Sequence, residues 1–200
     1  LYAAAIEYAR SIGYKSLGTV EFLVDVERSE FYFLEMNARV QVEHPVTEAI
    51  TGLDLIALQI AIAEGKMVPF AQGDIKLDGH AIEVRINAED PANGFRPNPG
   101  RITQAWFPDL TGVRVDTFAQ TGAMIPPNYD SLVAKVIAHG ATRAEAITRL
   151  LTALKVLELR GITTNIPLHK EILSDPAFVA GGVDTNYLAG LMARTPSGGA

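Results

Sequence analysis

Residues 35–48 read Glu35-Met36-Asn37-Ala38-Arg39-Val40-Gln41-Val42-Glu43-His44-Pro45-Val46-Thr47-Glu48, and both the fold and the chemistry of the chain are read outward from them. Glu35, Asn37, Arg39, Gln41 and Glu43 alternate with Met36, Ala38, Val40 and Val42. Successive side chains of an extended chain point to opposite faces, so the alternation predicts five polar groups lining one face over roughly 26 Å. A half-buried strand with a solvated face has the same period. Residue type separates the two readings. A solvated face is built from interchangeable Lys, Thr, Ser and Glu, whereas this one combines two carboxylates, two amides and a guanidinium. Carboxylate and amide oxygens hold a hard cation, a guanidinium forks onto an oxyanion, and a carboxylate can take a proton.

The preceding segments sharpen that reading. Residues 18–26 (Gly-Thr-Val-Glu-Phe-Leu-Val-Asp-Val) and 31–38 (Phe-Tyr-Phe-Leu-Glu-Met-Asn-Ala) are strand-like and are separated by Glu27-Arg28-Ser29-Glu30. A three-residue loop centred on Arg28 sets Val20, Phe22 and Val24 opposite Met36, Leu34 and Tyr32, giving one apolar face. A slip of one residue would turn every side chain over. The same register sets Glu21 directly opposite Glu35. Like charges across a ladder cost a few tenths to about 1 kcal/mol. A divalent cation between them converts that repulsion into binding; two acids pointing into water are the plainer alternative.

Taken together, Gly18-Thr-Val-Glu-Phe-Leu23 and Glu35-x-Asn-x-Arg-x-Gln-Val-Glu-His-Pro-Val-Thr-Glu48 resemble the biotin carboxylase component of biotin-dependent carboxylases, an ATP-grasp enzyme. The resemblance runs on through Gly79-His-Ala-Ile-Glu-Val-Arg-Ile-Asn-Ala-Glu-Asp90, Pro97-Asn-Pro-Gly100, Tyr129-Asp-Ser131 and Gly161-Ile-Thr-Thr-Asn165, reaching about Met192. It implies an α+β fold, with residues 1–46 ending an ATP-grasp domain. Residues 47–193 would form the biotin carboxylase C-terminal domain, an antiparallel sheet with segregated helices, and 194–200 a loose tail.

The resemblance also implies roles. Glu21, Glu35 and Asn37 hold two Mg²⁺ or Mn²⁺ ions, while Glu21, Leu23 and Glu35 contact ATP. Arg39, Gln41 and the backbone N–H of Val42 form a bicarbonate pocket, in which Glu43 is the general base. Arg85 lies against the ureido ring of a biotin carried on another domain or subunit, paired with Glu43. Arg114 lies toward a homodimer contact. Asp130 either orients Arg85 or caps a turn, and His44 is a structural hydrogen-bonder. The implied partners are a biotin carboxyl carrier domain and a carboxyltransferase subunit. The parent enzyme is expected to be an acyl-CoA carboxylase α chain in the cytoplasm, or in the mitochondrial matrix of a eukaryote. Two alternatives are a carbamoyl-phosphate-synthetase-like ATP-grasp ligase and a non-catalytic dimerisation module.

Composition bounds these readings. Two hundred residues at 48% hydrophobic, without a long apolar run, describe a globular chain with no membrane span. A net charge of −6 argues against a nucleic-acid or anionic-membrane surface. There is no cysteine for disulfide or thiol chemistry. A start at Leu1, without initiator Met or leader, reads as an excised piece lacking the family's Gly-rich lid and phosphate-binding lysines. Such a piece is expected to be inactive by itself.

Elsewhere the periodicity predicts a helix over 1–12 ended by Gly13, and another whose stripe Leu53, Ile56, Ile60 and Ala63 faces a core. Residues 80–88 alternate again, with Ile82, Val84 and Ile86 opposed to Glu83, Arg85 and Asn87. Short strands are expected at 101–106, 112–118 and 131–139, with a turn at 122–128 and Trp106 in the core. A helix over 143–158 carries Thr142 as N-cap and Glu145 as its capping-box partner. Further helices are expected at 167–173 and 184–192. His80, His139 and His169 show no ligand spacing.

Overall fold

The computed structural model describes residues 1–194, so the tail expected over 194–200 lies outside the described residues apart from Arg194. The chain forms two compact units, Leu1–Asp78 and a second from Gly79 onward. The position 46/47, which the sequence suggests as a domain boundary, falls inside a helix of the first unit.

In the first unit, α1 (Tyr2–Ser11) stops before Gly13, whose φ of +62° suits a residue without Cβ. Strands β1 (Thr19–Asp25) and β2 (Glu30–Asn37) form an antiparallel hairpin. Its turn, Val26–Ser29, holds four residues rather than the expected three, and Asp25 Oδ1 accepts from the Arg28 backbone N–H at 3.0 Å. The outer register therefore pairs Val24 with Phe31 and Phe22 with Phe33, not with Tyr32 and Leu34. A β-bulge at Leu34 then adds one residue to β2 and restores Val20 opposite Met36 and Glu21 opposite Glu35. Aromatic packing accounts for the choice. Phe22 meets Phe31 edge-on at 5.4 Å and Phe33 at 6.4 Å, and Tyr8 of α1 covers Phe33 at 4.9 Å.

Past β2 the chain turns into α2 (His44–Thr51), closed by left-handed Gly52, and α3 (Leu55–Ala63), whose N-cap Asp54 accepts from Ala57 N–H at 2.8 Å. The stripe expected to face a core does not: Ile56 is 37% and Ile60 58% exposed. Leu55-Ile-Ala-Leu-Gln-Ile-Ala-Ile-Ala63 is apolar on every side except Gln59, so spacing alone could not select a face. Among the described residues no single helix is long and apolar enough to cross a membrane.

The second unit is organised on β3 (His80–Asn87). Short pieces follow: β4 (Glu89–Asp90), β5 (Arg96–Pro97), β6 (Gly100–Arg101), β7 (Gln104–Trp106), β8 (Val113–Thr117) and β9 (Met124–Ile125). Then come β10 (Leu132–Gly140), α4 (Arg143–Val156), β11 (Glu158–Arg160), α5 (Ile166–Ser174), α6 (Pro176–Ala180) and α7 (Tyr187–Arg194). The main sheet is antiparallel in the order β3-β10-β8, and short ladders join β4 to β5, β6 to β9 and β7 to β11. Helix α4 lays Ile147, Leu150 and Leu154 on Val84, Ile86, Val136 and Ala138, all buried. Thr142 Oγ1 accepts from Glu145 N–H at 3.2 Å, and Glu145 reaches back to Ala141 N–H at 2.8 Å, one residue beyond a standard capping box.

Two local expectations change. Residues 124–125 pair as a strand, because Ile125 enters a second small core with Ile102 and Val133. Trp106 is 51% exposed rather than buried, because its neighbour Ala105 takes the inward position on three-residue β7 and strand alternation turns Trp106 outward.

Candidate functional site

The polar residues of the first unit come together at the end of the hairpin. Glu21 and Glu35 face each other across the ladder, and Asn37 lies between them. Asn37 Nδ2 donates to Glu21 Oε1 at 2.9 Å and to Glu35 Oε1 at 3.0 Å. Its Oδ1 accepts from Arg39 at 3.2 Å, and Arg39 also donates to Gln41 Oε1 at 2.8 Å and to the Val40 carbonyl at 3.1 Å. Five of the residues singled out by sequence thus form one hydrogen-bonded chain. Leu23, two residues on from Glu21, shares its face by strand alternation and is 64% exposed.

The backbone reaches this arrangement differently from the expected single extended face. Strand β2 ends at Asn37, and residues 38–43 bend and turn into α2. Pro45 at the first turn of α2 suits a helix start, where its missing N–H costs nothing. Glu43 is the N-cap of α2, exposed, with Val42 half-buried beside it. His44 Nδ1 lies 2.7 Å from the Gln41 carbonyl and ties the turn, the structural role expected of it.

This donor set fits a hard divalent cation: two apposed carboxylates with an amide that can offer oxygen. Among the described residues no group of three or more His, Cys, Asp or Glu is arranged to hold a metal ion. Two carboxylates alone would leave most of an ion's shell open to other oxygens, the mixed coordination with phosphate and water that Mg²⁺ favours. Arg39, exposed beside them with five N–H donors, suits an oxyanion.

In the second unit Arg85 stands exposed on β3, opposite Lys135 of β10, whose other neighbour on the sheet is Asp116 of β8. Asp116 lies 3.3 Å from Lys135 and is forked by Arg114 at 2.7 and 2.9 Å. Burial pushes the Asp116 carboxyl up, but Arg114 and Lys135 outweigh it and hold it below the usual aspartate value. Asp130 caps a turn, accepting from Leu132 N–H at 2.8 Å.

The outer edge of β3 is closed by side chains. Asn165, buried at 8% exposure, donates from Nδ2 to the Arg85 carbonyl at 3.0 Å and accepts at Oδ1 from Asn87 N–H at 2.9 Å. His169 Nε2 lies 2.8 Å from the same Arg85 carbonyl. That oxygen can only accept, so Nε2 carries the hydrogen. Burial lowers the His169 pKa, and the bond to Arg85 raises it by less, leaving it below the ordinary histidine value. Asn87 Nδ2 donates to Ser131 Oγ at 2.9 Å, and Ser131 donates to Glu89. A cavity of about 420 Å³ opens here, lined by Arg85, Asn87, Asn165 and His169 against Ile172 and Phe178. Ligand spacing in the sequence does not single out His169. Its separation from Asn165 is one helical turn across the start of α5, the one local signal that joins the two.

The chain is similar to known proteins over most of its length. The family model described as the biotin carboxylase C-terminal domain matches residues 83–190, and that of the carbamoyl-phosphate synthase L chain ATP-binding domain matches residues 1–70. Biotin carboxylase 1 of Bacillus subtilis is 49% identical over 185 residues, 92% of this chain and 41% of that protein. The chain thus spans about two fifths of the curated relatives it matches, 41% of the first. Among solved structures, the biotin carboxylase domain dimer of Hydrogenobacter thermophilus 2-oxoglutarate carboxylase, in complex with MgADP, ADP and bicarbonate, superposes with a TM-score of 0.90. It is 44% identical and covers 94% of this chain and 41% of its own. The complete multifunctional pyruvate carboxylase of Rhizobium etli superposes with a TM-score of 0.83 at 39% identity, over 88% of this chain and 18% of its own.

Proposed function

Because this chain belongs to the biotin carboxylase family, we propose that it is the C-terminal part of an ATP-dependent ligase that uses MgATP and bicarbonate to carboxylate biotin on a carrier protein. The observation that carries the proposal is the continuous chain from Glu21 and Glu35 through Asn37 to Arg39 and Gln41. It joins a cation-holding pair to an oxyanion-holding guanidinium, the two capacities that activation of bicarbonate by a nucleotide requires. The Hydrogenobacter neighbour, complexed with MgADP and bicarbonate, supports it.

In this reading Glu21, Glu35 and Asn37 hold two Mg²⁺ ions, or Mn²⁺ in their place, and Leu23 lines the ATP site. Bound there, Mg²⁺ supplies charge to the phosphates as they are transferred. Arg39 forks onto bicarbonate, with the Gln41 side chain and the Val42 N–H completing the pocket. Glu43 accepts the bicarbonate proton. Arg85 donates to the ureido oxygen as negative charge develops on it, the service of a preorganised oxyanion donor.

The proposed partners are the carrier domain and a carboxyltransferase subunit, with a homodimer contact on the Arg114 side and the cytoplasm, or a mitochondrial matrix, as the compartment. For the final acceptor we propose an acyl-CoA. These 200 residues hold no Gly-rich phosphate loop, so alone they are proposed not to cleave ATP, since phosphoryl transfer depends on positioning and charge.

The test measures phosphate release and carboxybiotin in parallel, in the intact carboxylase, for Glu43→Gln and Arg85→Ser. Loss of the base lowers both together, by about 10² to 10⁴-fold. Loss of Arg85 lowers carboxybiotin by about 10² to 10³-fold while ATP cleavage continues uncoupled. Proportional loss of both activities in both variants would show the division of labour to be wrong.

A further inference from the structure

We infer that Asn165 and His169 are positioning residues for Arg85: together they replace the missing neighbour strand of β3 and fix the backbone from which the Arg85 guanidinium projects. β3 is the edge of its sheet, paired with β10 on one side only. An edge strand leaves a row of N–H and C=O groups without ladder partners and is correspondingly free to shift. At Arg85–Asn87 that row is filled from α5 and the residue before it. The Arg85 carbonyl takes two hydrogens, from Asn165 Nδ2 and His169 Nε2. The Asn87 N–H reaches Asn165 Oδ1, and the Asn165 N–H reaches the Asn87 carbonyl at 3.2 Å.

Asn165 is the only buried polar residue of the described core, and its amide meets β3 with a donor and an acceptor as a strand would. The brace is centred on the one β3 residue to which the proposed reaction assigns a donor, and the inference rests on that assignment. Catalytic donors must sit within a fraction of an ångström, and a displacement of about 1 Å can cost about 10²-fold.

His169 acts through its Nε2 hydrogen. A Gln side chain places an amide NH₂ near the position of Nε2, whereas Asn is too short to reach it. In the intact carboxylase, His169→Gln, His169→Asn, Asn165→Asp and Arg85→Ser are compared for carboxybiotin formed per ATP cleaved, for kcat and KM toward biotin, and for bicarbonate-dependent ATP cleavage.

His169→Asn is expected to lower the coupling ratio by about 10-fold, mainly in kcat, with ATP cleavage and melting temperature retained. His169→Gln is expected to hold the ratio within about 3-fold of the parent. Asn165→Asp keeps the acceptor for Asn87 but loses the donor to Arg85, and is expected to uncouple like His169→Asn. Equal ratios in the Gln and Asn variants, with Arg85→Ser uncoupled, overturn the positioning role and leave the function of Arg85 standing. Full coupling in Arg85→Ser overturns the assigned donor and the brace together.

Discussion

Glu21 and Glu35 stand directly opposite each other across the β1–β2 ladder because Leu34 is bulged out between Phe33 and Glu35. The four-residue turn pairs Asp25 with Glu30 and Phe22 with Phe33, and continued without interruption that register would set Glu21 against Leu34. Glu35 would then share the face of Val20 and Phe22, which packs toward aromatic rings. The extra residue lets one strand serve both an aromatic contact and a carboxylate pair.

Asn37 acts in that pair as a neutral spacer, so replacing it by Asp should show what the pair is built for. Asn37→Asp removes two donors and puts a third carboxylate against Glu21 and Glu35. Like-charge juxtaposition of this kind costs about 1 kcal/mol, which lowers the melting temperature by about 2–4 °C for a chain of this length. In calorimetry the loss is expected in EDTA and largely reversed by millimolar Mn²⁺. A melting temperature equally depressed with and without the metal would sink the cation-holding reading.

How legible this is in the sequence depends on the distance over which each feature is specified. The Glu21–Glu35 pairing is legible, but through a three-residue turn, because a bulge that cancels a one-residue change of turn length leaves no trace in alternation. The extended face ends sooner than alternation implies. Val40 and Val42 keep the period of a strand, yet the chain is already turning into α2, and only Asn37, Arg39 and Gln41 rejoin through hydrogen bonds. Helix α4 is legible from its Thr142 cap to Val156, since stripe and cap lie within one local segment, but the expected end at Glu158 overruns it, because Glu158 pairs with Trp106 as the start of β11. The Asn165–Asn87 and His169–Arg85 contacts, 78 and 84 residues apart, carry no local pattern.

Asp116 holds two cations on the sheet, so its removal is expected to weaken the second unit modestly. Lys135 keeps only 13% of its side-chain surface, and Asp116→Asn would leave it and Arg114 facing each other across the lost charge. Partial exposure of Asp116 screens the effect, and a loss of about 1 kcal/mol is expected. Because the folded pKa lies below the ordinary value, this contribution is present above about pH 4 and is lost as pH falls through the folded pKa. Urea midpoints of parent and variant should therefore differ at pH 7 and converge at low pH.

Gly161, at φ +93°, passes so close to Arg101 and Thr103 that an added methyl would overlap the Arg101 carbonyl and the Thr103 amide. Gly161→Ala combines strained backbone with that overlap, and a loss of at least about 2 kcal/mol is expected. Leu154→Ala, at a position with no exposed surface, is expected to cost about 2–5 kcal/mol through the cavity it leaves. Chemical denaturation checks both, and a Gly161→Ala variant as stable as the parent would contradict the crowding described.

His169 supplies the last expectation. Burial holds its folded pKa below the ordinary value, against a smaller opposing effect of the Arg85 carbonyl. In the unfolded chain the imidazole titrates near about 6.5. Above that pH neither state carries the proton, and the contribution of neutral His169 is complete. Between about 6.5 and the folded pKa the unfolded chain binds a proton that the folded chain does not, so stability falls as pH falls across that window. One such proton makes the slope at most about 1.4 kcal/mol per pH unit. His169→Gln keeps a donor for the Arg85 carbonyl but cannot titrate. Urea midpoints measured from pH 7.5 to 5.5 are expected to decline more steeply for the parent than for the variant. Parallel declines would mean that His169 is accommodated as readily charged as neutral, against the buried contact with the Arg85 carbonyl.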